Sequence, residues 1–165
     1  MEKKEKVLAA ADPGCGRVPV NKIIPFSAVD GPGNRTAVFL QGCNFDCRYC
    51  HNPETRNLCR NCGSCVGKCP KGALFTDEDG KVRFCPEKCC GCDTCIHVCP
   101  FGCSPRIRMM CAEEVFAEVK KQQPYIRGIT VSGGECTLYP DFLEKLFVLA
   151  RGAGLGTCLL YTSDA

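Results

Sequence analysis

Cysteine spacing constrains this chain more than any apolar pattern does. Cys59-x2-Cys62-x2-Cys65-x3-Cys69-Pro70 recurs farther along as Cys89-x2-Cys92-x2-Cys95-x3-Cys99-Pro100. Eleven of the eighteen cysteines lie between Leu58 and Pro105, where long apolar runs are absent. Such a segment lacks the side chains for an ordinary hydrophobic core, so its interior is expected to be inorganic. This cysteine content means either a disulfide scaffold or a metal protein. The N-terminal MEKKEKVLAAADPG carries no apolar signal core, and no apolar run is long enough to span a membrane. A cytoplasmic, reducing compartment is therefore expected, which favours metal ligation over disulfides. With 21 basic and 18 acidic residues the net charge is +3, and neither nucleic acid nor an anionic membrane is an expected partner.

The repeated spacing matches the bacterial ferredoxin run, in which the fourth Cys of each run ligates the cluster of the other. Crossing the ligands assigns Cys59, Cys62, Cys65 and Cys99 to one 4Fe–4S cluster, and Cys89, Cys92, Cys95 and Cys69 to a second. Zinc ribbons usually close with two C-x2-C pairs and need neither a third Cys at x2 nor a Cys-Pro after x3. Cys85, Cys90 and Cys103 fall outside the pattern. Cys90 could slip the register, but Cys89 completes the spacing. Cys85 and Cys103 read as small hydrophobes.

Around this segment the chain reads as α/β. Residues 1–18 form a polar, then Pro/Gly-rich leader, expected to be disordered, with Cys15 as a stray thiol. NKIIPFSAVDGPGNR is turn-rich, and TAVFLQ (36–41) is a buried strand. CAEEVFAEVKKQQ predicts a helix with Val115, Phe116 and Val119 on one face, stopped by Pro124. IRGITVS is a strand. PDFLEKLFVLARGAG is a second amphipathic helix with Phe142, Leu146 and Leu149 at core spacing, and LGTCLL starts another strand. Strands alternating with helices predict a parallel sheet with about three of its strands present, one edge exposed, and the Cys-rich window inserted after the first strand. Cys111, Cys136 and Cys158 are expected to be buried thiols.

A second constellation follows the first strand. Cys43, Cys47 and Cys50 stand as C-x3-C-x2-C in LQGCNFDCRYCHNP. Three thiolates holding a cube that needs four leave one iron open to bind a small molecule, although three close thiols could also serve zinc. Ser132-Gly133-Gly134-Glu135 ends a predicted strand, at the edge where parallel α/β sheets bind ligands. Adjacent glycines let backbone groups approach a ligand closely. A plain strand-to-helix turn would explain the same four residues.

In this order, GPGNR, LQGCNFDCRYCHNPET, two ferredoxin runs and VSGGE, the chain resembles the radical S-adenosylmethionine proteins. It is most similar to the glycyl-radical enzyme activating enzymes with a two-cluster insert, and IIPFSAVDGPG with GITVSGGE is similar to their YjjW-type branch. The resemblance runs from Ile23 to Leu159. It implies a partial (β/α) barrel in two parts, 19–57 and 106–160, interrupted by a ferredoxin-like domain at 58–105. It also implies three 4Fe–4S clusters, with Cys43, Cys47 and Cys50 holding the one whose open iron chelates S-adenosylmethionine. Tyr49 matches the position against the adenine, His51 and Asn52 the nucleotide side, and Gly133, Gly134 and Glu135 the motif that holds the methionine amino group. Asp30 and Arg35 fit the family's opening loop, Asp30 as a structural turn.

The implied activity is reductive cleavage of S-adenosylmethionine to a 5′-deoxyadenosyl radical, which takes hydrogen from a glycine of a partner enzyme. Ferredoxin or flavodoxin would supply the electron, in an anaerobic cytoplasm. Two alternatives stand beside it: a ferredoxin-like electron carrier, and a radical enzyme of this superfamily acting on another substrate. Toward the C-terminus the resemblance breaks, because Tyr161 stands where the family has Asp. Residues 161–165 read as a foreign tail on a truncated frame, so S-adenosylmethionine turnover is expected to be weak or absent.

Overall fold

The computed structural model describes residues 16–160. The leader's residues 1–15, with Cys15, and the tail at 161–165 lie outside the described residues. Seven strands are present among the described residues: β1 (Val18–Ser27), β2 (Arg35–Leu40), β3 (Leu74–Thr76), β4 (Val82–Phe84), β5 (Arg108–Met110), β6 (Gly128–Gly133) and β7 (Gly156–Leu159). The α-helices are α1 (Thr94–His97), α2 (Ala112–Lys120) and α3 (Pro140–Gly152). Five strands form one sheet in the order β5-β1-β2-β6-β7, and β3 pairs with β4 separately.

The parallel part is the one expected. β2, β6 and β7 run parallel, with α2 entering between β2 and β6 and α3 between β6 and β7. Every residue of β2 is buried, and β6 is buried from Gly128 to Ser132. Strands covered on both faces have this near-continuous apolar character. The sheet also carries two antiparallel strands that the sequence pattern did not yield, β1 on β2 and β5 on β1. It is therefore mixed rather than wholly parallel. Val18 opens β1 and is buried, so the leader ends before it.

β1 is hard to see in the sequence because it contains Asn21 and Pro25, residues that weaken a strand signal. The β1–β2 register shifts at both places, between Val20 and Lys22 and between Ile24 and Ser27. Irregularities of this kind re-aim side chains. At the first, Asn21 donates its side-chain amide to Gln41 Oε1 at 2.7 Å. At the second, the carbonyl of Pro25 accepts the Thr36 hydroxyl at 2.9 Å.

The main core lies where α2 and α3 meet the sheet. Ala112, Val115 and Val119 of α2 and Phe142, Leu143, Leu146 and Ala150 of α3 pack against Val38, Leu40, Ile129 and Val131. Phe116 and Leu149, expected on the core faces, are partly buried against this cluster. Fully burying one such aliphatic side chain is worth about 1.5–3 kcal/mol. A capping box begins α2, with the Cys111 amide donating to Glu114 at 2.9 Å, and Pro140 opens α3 with a preset φ. Cys136 is buried, whereas Cys111 and Cys158 are only partly so. No helix among the described residues is long and apolar enough to cross a membrane.

Candidate iron–sulfur and cofactor site

The two Cys runs share one backbone course. Asn61 and Gly91 have positive φ of 56° and 70°, Gly63 and Asp93 have 73° and 57°, and Gly72 and Gly102 have 59° and 57°. The amides of Asn61 and Gly91 each approach the preceding Cys59 or Cys89 sulfur at 3.4 Å. Cys62 bonds Ser64, and Cys92 bonds Thr94, both at 3.3 Å. The apolar material between the halves is small: Leu74 with Val66, Val82, Phe84 and Ile96, around Cys65 and Cys95.

Two cavities lie in this region. Cys59, Cys62, Cys65 and Cys99 line the first, together with Cys103. Cys69, Cys89, Cys92 and Cys95 line the second, together with Cys90. Each cavity thus brings together three thiols of one run and the fourth of the other. All seventeen described cysteines are free. The soft sulfur donors lining each cavity are of the type that holds zinc or an iron–sulfur cluster.

The thiols are electrostatically unequal. A hydrogen bond from Cys103 draws Cys59 down to about 6 and moves Cys103 upward. Burial pushes Cys65 up to about 11. Thiolates are the ligating form, so Cys59 is poised to give up its proton first. In the second cavity Arg106 bonds Cys89 and pairs with Asp93 at 2.5 Å. Neither Cys103 nor Arg106 was read from the sequence as part of a site. The signal for Cys103 was present: CPFGC repeats CPKGA, which places Cys103 where Ala73 stands in the other half.

The three-cysteine loop leaves the C-terminal end of β2, beside the C-terminal end of β6. Leu40 registers with Gly133. From there the two loops are laced together by backbone: Gly134 N–H donates to Leu40 O and Glu135 N–H to Gly42 O, both at 2.8 Å. Gly42 N–H reaches Thr55 O at 2.7 Å and Cys43 N–H reaches Arg56 O at 2.9 Å, closing the Cys loop at its base. Gln41, fully buried, donates to the carbonyls of Glu54 and Asn57 at 2.7 and 2.8 Å, while its own carbonyl accepts the Tyr139 hydroxyl at 2.8 Å. Gln41 and Tyr139 were not read as supports of the site.

Cys43 is raised, chiefly by burial, and the negative charges of Glu135, Cys50 and Cys47 add to the effect. Cys43 and Cys50 are partly buried and Cys47 is exposed. Tyr49 is 76% exposed and His51 is exposed, so their rings stand clear of the core. Asn52 is partly buried, and its carbonyl accepts Thr55 N–H and Oγ1. Glu135 uses one carboxylate oxygen on the Thr137 amide and hydroxyl. Asp30 accepts the Ser27 hydroxyl at 2.5 Å within its turn. Arg35 is buried, donating to Thr130 Oγ1 and to the carbonyls of Pro32, Ile129 and Gly156, a structural clasp across the sheet.

A model of the 4Fe–4S single cluster domain matches residues 29–163. The chain belongs to the 4Fe–4S single cluster domain family. The isethionate sulfite-lyase activating enzyme of Desulfovibrio desulfuricans is 33% identical over 159 residues, covering 85% of this chain and 51% of that one. The (2S)-3-sulfopropanediol dehydratase activating enzyme of Klebsiella oxytoca is 34% identical over 155 residues, covering 81% and 48%. The indoleacetate decarboxylase activating enzyme of Tractidigestivibacter scatoligenes is 36% identical over 146 residues, covering 73% and 46%. These three relatives are activating enzymes, and the chain spans about half the length of each.

Proposed function

We propose that this chain is part of a glycyl-radical enzyme activase of the radical S-adenosylmethionine type, with the two-cluster insert and the YjjW-type motifs of that group. The observation that carries the proposal is the Leu40–Gly133 register, which sets the Cys43/Cys47/Cys50 loop and the SGGE loop side by side at one sheet end. Cys43, Cys47 and Cys50 would hold a 4Fe–4S cluster with one open iron. Gly133, Gly134 and Glu135 would receive the methionine head of S-adenosylmethionine. Tyr49, His51 and Asn52 would line its nucleotide. The described sheet would be the first part of a partial (β/α) barrel, in 19–57 and 106–160.

The residues at 58–105 would form a ferredoxin-like domain with two further clusters, one on Cys59, Cys62, Cys65 and Cys99 and one on Cys89, Cys92, Cys95 and Cys69. The four-thiol lining of each cavity fits this. Ferredoxin or flavodoxin would be the donor, in an anaerobic cytoplasm. When bound, the open cluster and S-adenosylmethionine supply a 5′-deoxyadenosyl radical able to take the Cα hydrogen of a glycine in a partner enzyme. The chain's own tasks are to orient the methionine head at the β2/β6 edge and to exclude water there.

The test is co-expression of the whole activase with a glycyl-radical enzyme encoded beside it, under anaerobic conditions. The expected result is 5′-deoxyadenosine together with a glycyl radical signal in the partner. 5′-Deoxyadenosine without that radical would point to another substrate. Neither product would reduce the protein to an electron carrier.

A further inference from the structure

The first cavity holds five thiols where a 4Fe–4S cube has four corners, and the fifth, Cys103, is 1% exposed. Its sulfur lies 3.4 Å from that of Cys99, and Cys59 lines the same cavity. The internal repeat says which four are ligands. Cys99 corresponds to Cys69, and Cys103 corresponds to Ala73, which lines the second cavity equally buried. The second cavity has a methyl group at that place, and its own fifth thiol, Cys90, stands where Arg60 stands in the first run. Cys103 occupies a place that ligation does not require, against the Cys99 sulfur that ligation does.

We propose that Cys103 is a potential-setting residue: it donates its S–H to the Cys99 sulfur and raises the reduction potential of the cluster in the first cavity. A neutral thiol is a weak donor, and a buried thiol among ligand sulfurs avoids the cost of burying another charge. A hydrogen bond to a ligand sulfur withdraws electron density and favours the reduced cluster, one of the recognised controls on cluster potential. The second cavity has no thiol at this position, its extra thiol being Cys90 beside Cys89, so the halves of the repeat differ at the place that Cys103 fills. Arg106 lines the second cavity and not the first.

The inference rests on the cluster reading above, and one set of samples separates the two. The full chain, reconstituted anaerobically, is assayed for iron and sulfide and titrated potentiometrically by EPR as wild type, C103A, C103S and A73C. Alanine is tolerated at the equivalent buried Ala73, so C103A is expected to keep its iron. In C103A one insert transition moves to lower potential, the reduction equilibrium falling up to about tenfold, about 59 mV for one electron. C103S, which keeps a donor, restores most of the shift, and A73C raises the potential of the other transition. Loss of a cluster in C103A would make Cys103 a ligand and overturn the inference. Full iron with unmoved potentials would also overturn it, leaving the cluster reading intact. A wild-type chain that takes up no insert iron would overturn both.

Discussion

Cys47→Ala is expected to cut the iron content of the reconstituted chain from about twelve to about eight per molecule, three cubes becoming two. It should also abolish formation of 5′-deoxyadenosine by the whole activase. Cys47 is exposed on the loop after β2 and outside both hydrophobic clusters. Surface substitutions away from packing and hydrogen-bond networks usually change stability by about 0.5 kcal/mol or less. The effect is therefore separable from folding: far-ultraviolet circular dichroism stays that of the wild type while one cluster is lost. Cys43 and Cys50 would show the same iron loss. Cys43 is the less clean probe, because its side chain is partly buried. Twelve irons retained in C47A would remove the three-cysteine loop from the ligand set.

Gly134→Ala is the second large effect, and its origin is steric. A Cβ at Gly134 would stand 2.1 Å from Gly42 O and 2.7 Å from its carbonyl carbon. Both obstacles are backbone, so no side chain can swing aside. Gly42 directly precedes Cys43, and the displaced backbone is the one that Glu135 N–H and Thr55 O hold in place. We expect about 3 kcal/mol of destabilisation, at the upper part of the overpacking range, with the damage concentrated at the β2/β6 end. The site cluster is then lost while the insert keeps its iron, measured as eight rather than twelve by the same iron and sulfide assay. A variant with wild-type stability and full iron would show that the two loops need not approach so closely.

The parallel elements were legible because β2 and β6 are short runs rich in β-branched and apolar residues bounded by turns, and because Val115/Val119 and Phe142/Leu146 repeat at helical spacing. β1 was not, since Asn21 and Pro25 stand at its register shifts and look like turn residues in isolation. β5 is three residues long and takes its strand form from pairing with β1. For the candidate site, the cysteine spacing carried the sets that the two cavities bring together, because ligand geometry is encoded in short-range spacing. Gln41, Tyr139 and Arg106 were not singled out, because they act through contacts between segments distant in sequence, such as Tyr139 to Gln41 and Arg106 to Asp93, which spacing alone does not encode. Cys103 was read only as a small hydrophobe, and its place shows when the two halves of the repeat are aligned.

The Leu40–Gly133 register puts the SGGE loop beside the cysteine loop, and the central claim is that the methionine head of S-adenosylmethionine binds iron there. Electron–nuclear double resonance on the reduced protein with amino-15N-labelled S-adenosylmethionine tests it most directly. The account predicts a nitrogen coupling to one of three reduced clusters, absent in C47A. A protein carrying about twelve irons whose clusters show no coupling to that nitrogen would contradict it.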